Sequence, residues 1–197
     1  MSVSSVAPRG SELEPVRAFT ELGRGDVQYA GGKGANLGEL TAAGLPVPEG
    51  FVVGAPAYAS YCEQTGLRAR LSELLDGLDV EDTAALESAA SDARALFDRT
   101  AIPDAIAGEI RAAYERLGSA AGADGELAVA VRSSATAEDT EAASFAGMNE
   151  TFLNVHGAEA VLDAVRRCWR SLFGARTVYY RAVSGFSQAD MDIAVVV

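Results

Sequence analysis

A chain of 197 residues with 49% hydrophobic content is long enough for one domain, or one large lobe of a bigger one, and holds ample material for a core. Its 28 acidic residues against 16 basic ones give a formal net charge of -12, which excludes a general nucleic-acid binder and leaves any bound phosphate to a few focused cations. Cys62 and Cys168 are the only cysteines, too few and too separated for a disulfide scaffold or a metal knuckle, and they read as buried thiols of a reducing, cytoplasmic compartment.

Residues 1–15, MSVSSVAPRGSELEP, are rich in Ser, Pro and Gly, hold no apolar run that could act as a signal sequence, and are expected to be a disordered leader. Nowhere does an uncharged stretch approach the roughly 20 residues that span a bilayer, so no membrane is expected as a partner. Residues 16–197 are expected to fold as one lobe. GGKGANLGELTAAG predicts a glycine turn running into a short helix with Leu37 and Leu40 inward, ended by Gly44, with Gly31, Gly32 and Lys33 at its amino end. LPVPEGFVVG reads as a Pro-bounded turn and a strand. Leu67, Leu71, Leu74, Leu75 and Leu78, then Leu86, Ala89, Ala90, Ala93 and Phe97, keep helical spacing and mark core faces. Pro103 suits the first turn of a helix in which Ile106, Ile110, Ala113, Tyr114 and Leu117 share one side, broken by GSAAGADGE.

The stretch 129–154, VAVRSSATAEDTEAASFAGMNETFLN, is the most informative. In LAVAVRS a period of two puts Leu127, Val129 and Val131 on one face and Ala128, Ala130 and Arg132 on the other, so the arginine ends a shallow floor of small residues. A hydroxyl-rich, acidic loop follows, and TFLNV is expected to return as a strand. A helix over 158–173 buries Val161, Leu162, Val165, Cys168, Trp169, Leu172 and Phe173, with a second helix near 175–183. MDIAVVV begins a strand in which the chain stops. A terminal apolar strand of that kind would present an adhesive edge, so a truncated chain or a missing second lobe is expected.

Taken singly, these features have plain explanations. Lys33 suits a solvated lysine in a turn, because GxxxxGK[ST] is absent and GGKGANLG lacks the third glycine of the dinucleotide fingerprint. Arg132 suits a surface salt bridge to Glu138 or Asp139. Ser133, Ser134 and Thr136 suit ordinary turn hydroxyls, Gly147 a loop glycine, and His156, the only histidine, a structural strand-exit residue.

Taken together, GGKGANLGELTAAGLPVPEGFVV, AIPDAIAGEIRAAYERLG, VAVRSSATAEDTEAASFAGMNETFLNV and CWRSLFGARTVYYR occur in an order that resembles the amino-terminal ATP-binding domain of phosphoenolpyruvate synthase, pyruvate phosphate dikinase and rifampicin phosphotransferase. The resemblance covers roughly residues 25–197. It implies an α+β fold, the first lobe of an ATP-grasp-like domain with a mixed or antiparallel sheet flanked by helices. It implies that Lys33 and Arg132 hold ATP phosphates and offset developing charge, and that Ser144, Gly147 and Thr151 contribute backbone or hydroxyl contacts from a closing loop. Met148 and Asn149 stand where the family often has Gln, so no side-chain contact is assigned at 148. ATP is the expected cofactor, with Mg2+ held by a second lobe and no metal ligand in this chain. The parent protein would split ATP into AMP and phosphate and pass the β-phosphoryl group through a phosphohistidine domain to pyruvate. The RSSATAED wording is closer to the synthase and rifampicin enzymes than to the dikinase. The alternatives are an antibiotic-inactivating rifampicin phosphotransferase, a stand-alone non-catalytic nucleotide-binding module, and a structural lobe whose open strand edge docks on a separately encoded partner; a homo-oligomer is a further partner considered.

Overall fold

The structure, a computed structural model, describes residues 14–123, 126–136, 150–188 and 191–197. Five strands, β1 (Val16–Ala18), β2 (Phe51–Val53), β3 (Val129–Ala135), β4 (Thr151–Val155) and β5 (Ile193–Val196), form one sheet in the order β1-β2-β5-β3-β4, and all four pairings are antiparallel. The expectation of an α+β lobe with an antiparallel sheet and flanking helices holds.

The terminal strand is not an edge. β5 lies between β2 and β3, with Val195 opposite both Val53 and Ser133, and Val197 exchanges backbone hydrogen bonds of 2.9 Å with Phe51. An uninterrupted apolar run from Ile193 to Val197 marks a strand covered on both faces, and sequence position at the end of a chain does not fix position at the rim of a sheet. Among the described residues, β1 and β4 are the outermost strands.

Alternation along the strands splits the sheet into two faces. Phe51, Val53, Val131, Ile193, Val195 and Val197 point into the larger core, beneath α2 (Ala55–Gln64), α3 (Leu67–Leu75), α4 (Thr83–Arg99), α5 (Asp104–Ala120), α6 (Ala158–Arg170) and α7 (Ala175–Val183). Val52, Ala194 and Val196 point the other way and pack with Tyr29 and Ala30 of α1 (Val27–Ala42) and with Phe19 and Leu22. Among the described residues, six helices bury one face and one helix packs on the other. That asymmetry leaves part of the second face open.

The helical stripes read from the sequence are the buried ones: Leu86, Ala89, Ala90, Ala93 and Phe97 in α4, and Val161, Leu162, Val165, Cys168 and Trp169 in α6. Asp82 accepts hydrogen bonds from Ala84 and Ala85 N–H at 2.9 and 3.1 Å and so starts α4. Tyr114 of α5 donates to Leu127 O at 2.7 Å and accepts from Gly157 N–H at 2.9 Å, fixing the entrance of β3 against that of α6. Pro103 sits just ahead of α5, and that helix runs through Gly118 to Ala120 before it breaks.

Three elements depart from the sequence reading. Helix α2 had no expected counterpart, and neither did the short β1. Helix α1 begins at Val27, ahead of the glycines, and carries them inside it, where Gly31 at φ 65°, ψ 172° breaks the helical path. Gly44, at φ 72°, ends α1 as expected, with Leu45 N–H bonded to Leu40 O and Gly44 N–H to Thr41 O. Because the helix starts early, Leu37 is half-buried against the smaller core while Leu40 is exposed rather than inward.

Candidate functional site

The site is built where α1 crosses β3. Ser134 is fully buried, and its hydroxyl donates to Ala30 O at 2.9 Å and accepts from Gly34 N–H at 3.4 Å, across a sequence gap of about a hundred residues. Gly31 lies so close to Ser134 that a Cβ would overlap its hydroxyl and carbonyl oxygens. Its dihedrals fall in a region essentially restricted to glycine. The two distant blocks singled out in the sequence are therefore one structural unit.

Cross-strand partners share a face, and Arg132 stands opposite Val196 as Ser134 stands opposite Ala194. Val196 and Ala194 belong to the α1 side, so Arg132 belongs to it as well. Two residues of strand separate Arg132 from Ser134, about 7 Å, and Lys33 immediately precedes the Gly34 amide that Ser134 receives. Lys33 and Arg132 thus lie on the same side of the sheet, on adjoining backbone segments. Arg132 is exposed, and among the described residues no carboxylate pairs with it. Glu138 and Asp139, its suggested partners, lie outside the described residues.

The charge of Lys33 is felt at Cys168 of α6. The Cys168 thiol is pushed up to about 12, first by burial and then by the negative charge of Glu150, with Arg167 and Lys33 acting in the opposite direction. Glu150 is anchored to Ser133: the Ser133 N–H donates to Glu150 O at 3.0 Å, and Glu150 N–H donates to Ser133 Oγ at 3.0 Å. Thr136 Oγ1 donates to Asp192 O at 3.1 Å, and Asp192 pairs with Arg68 at 3.0 Å. Both flanks of residues 137–149 are therefore pinned to the frame.

Thr151, the first residue of β4, is exposed and directly opposite Arg132. Leu153, two residues on, is 73% exposed on the same uncovered floor. Beyond it, Asn154 at φ 56° carries an irregularity in the β3–β4 register, and His156 contacts Asn154 Oδ1 at 3.0 Å, the structural use expected of that residue. Ser144 and Gly147 lie outside the described residues. Ser134, a turn hydroxyl by its sequence, is instead a buried strand residue, and nothing local reveals its partner on α1.

A groove of about 790 Å³ lies elsewhere, between β1 and α5, at the opposite edge of the sheet from β4. Glu14, Glu21, Glu49 and Glu109 line it with Arg116, and it includes neither Lys33 nor Arg132. Four carboxylates against one guanidinium repel phosphate.

Residues 27–197 match the family described as pyruvate phosphate dikinase, AMP/ATP-binding domain. The chain belongs to this family. Within it, the domain is 48% identical over 193 residues to a probable phosphoenolpyruvate synthase of Methanothermobacter thermautotrophicus, covering 98% of this chain and 28% of that protein. It is 40% identical over 214 residues to the phosphoenolpyruvate synthase of Pyrococcus furiosus, covering 92% and 26%, and 44% identical over 178 residues to that of Pseudomonas aeruginosa, covering 88% and 22%. The AMP/ATP-binding domain seen here thus spans about a quarter of the length of these relatives. Among its described residues no helix is long and apolar enough to cross a membrane.

Proposed function

We propose that this chain is the first lobe of an ATP-grasp-like nucleotide-binding domain in a phosphoenolpyruvate synthase-like phosphotransferase. The supporting observation is the joint placement of Lys33 and Arg132 on the open face of the sheet, set by the Gly31 break and its contact with Ser134. A planar guanidinium suits two phosphate oxygens at once, and an ammonium supplies a compact charge beside it. Both would stabilise charge that grows on the phosphoryl oxygens as a bond to phosphorus breaks. Thr151 stands within the same floor, and Ser144 and Gly147 are assigned to backbone or hydroxyl contacts from the segment that returns to it. Exclusion of water over the phosphates would strengthen each of these contacts.

The reaction assigned to the complete protein splits ATP into AMP and phosphate and passes the β-phosphoryl group through a phosphohistidine to pyruvate. The second lobe, the phosphohistidine domain and the pyruvate site belong to the remaining length that the relatives possess. Mg2+ is assigned to carboxylates of that second lobe. The test is pyruvate-dependent AMP release by the complete enzyme, with Lys33→Ala and Arg132→Ala variants. Loss of AMP release in both, with unchanged circular dichroism, is expected. Turnover at the wild-type rate in either variant sinks the assignment.

A further inference from the structure

Within an unbroken α-helix, the Ala30 carbonyl would accept from the Gly34 amide four residues later. Here Gly31, at φ 65°, ψ 172°, interrupts that path between the two groups. The Ser134 hydroxyl stands between them, donating to Ala30 O at 2.9 Å and accepting from Gly34 N–H at 3.4 Å. An inserted polar group is one of the recognised causes of a helix kink, and the break falls at Gly31, inside the span that the hydroxyl bridges. Gly34 itself packs against Val52, where a Cβ would come within 3.0 Å of the Val52 side chain, so the second half of α1 is seated directly on the sheet.

We infer that Ser134 is a positioning residue for nucleotide binding: its hydroxyl bridges the Ala30 carbonyl and the Gly34 amide across the break at Gly31 and thereby sets Lys33 relative to Arg132. This rests on the reading of those two cations as phosphate ligands. Ser134 itself is fully buried, so its role is exerted through the placement of Lys33. Removing the hydroxyl takes away the bridge between the Ala30 carbonyl and the Gly34 amide, which loosens the two halves of α1 about Gly31 and with them the placement of Lys33 relative to Arg132.

A double-mutant cycle separates this role from a merely structural one. ATP affinity is measured by titration calorimetry on the full chain for the wild type, Ser134→Ala, Lys33→Ala and the double variant, well below each melting temperature. Ser134→Ala is expected to weaken ATP about tenfold, as loss of one buried hydrogen-bonded bridge allows, and to add nothing in the Lys33→Ala background. Wild-type affinity in Ser134→Ala, or the same weakening in both backgrounds, overturns the inference while leaving the phosphate role of Lys33 intact. Wild-type affinity in Lys33→Ala overturns that role, and the inference with it. Ser134→Cys, nearly isosteric and a poor donor, carries the same cycle if the alanine variant does not yield folded protein.

Discussion

Gly31 meets Ser134 with no room for a single methyl group between them. The glycine is held at φ 65°, ψ 172°, so a side chain there faces both a disfavoured backbone and a direct clash with buried strand atoms. Gly31→Ala is expected to destabilise the protein by about 3 kcal/mol or more, combining backbone strain with overpacking. Gly25, whose added Cβ meets nothing within 4 Å, is the control. Its alanine variant should unfold at the wild-type urea concentration, and equal midpoints for the two variants would refute the steric account.

Helices with a regular apolar stripe were legible in the sequence because burial of one face imposes a 3.6-residue period. Phe97 and Ile110 are fully buried where that period put them. Helix α2 was missed because APAYASYCEQ offers small residues on every side, and only the structure reveals that Tyr58, Tyr61 and Cys62 face inward. The centre of the sheet was missed because pairing of Val52 with Val196 spans most of the chain and leaves no local trace. At the site, residue types were readable and mutual geometry was not. GGK reads as a turn from its glycines, while its place inside α1 goes with a contact to Ser134, about a hundred residues away, that leaves no local trace.

Arg132 is exposed and outside both cores. Its removal should therefore leave stability within about 0.5 kcal/mol, the usual range for surface changes away from packed groups. Nucleotide affinity should fall by about 1.5–3 kcal/mol, the range for a hydrogen bond to a charged group. Arg132→Lys keeps the charge but not the planar fork and should recover only part of the loss. Thermal melts and ATP titrations of the two variants check both expectations, and full recovery by lysine would refute a bidentate contact.

Trp169, the only tryptophan, is fully buried and stacks on Tyr61 with ring centroids 5.0 Å apart, while Tyr58 meets it edge-on at 5.8 Å. Its indole N–H has no hydrogen-bond partner among the described residues, so its contribution comes from packing. Trp169→Ala should cost about 3–5 kcal/mol through the cavity it leaves. Trp169→Phe keeps an aromatic ring between the tyrosines and leaves no orphaned donor, so it should cost clearly less. Urea unfolding followed by circular dichroism ranks the three proteins; equal losses for Ala and Phe would show that aromatic packing is not the source.

Cys62 and Cys168 are buried free thiols, and burial, the leading cause in each case, raises them from 9.0 to about 11 and about 12. At pH 8 the reactive thiolate of either is on the order of 0.1% or less of the native population. A thiol-exchange reagent such as DTNB should therefore titrate no cysteine in the native protein and both after unfolding. The same shifts set a direction for stability. Below pH 9 both thiols are neutral whether the chain is folded or not; between pH 9 and the folded values, the unfolded chain ionises first. Stability should then fall with rising pH, by up to about 1.4 kcal/mol per unit for each thiol. Cys168→Ala should flatten that alkaline decline in urea midpoints, and rapid native-state labelling of Cys168 would contradict its burial between α6 and the sheet.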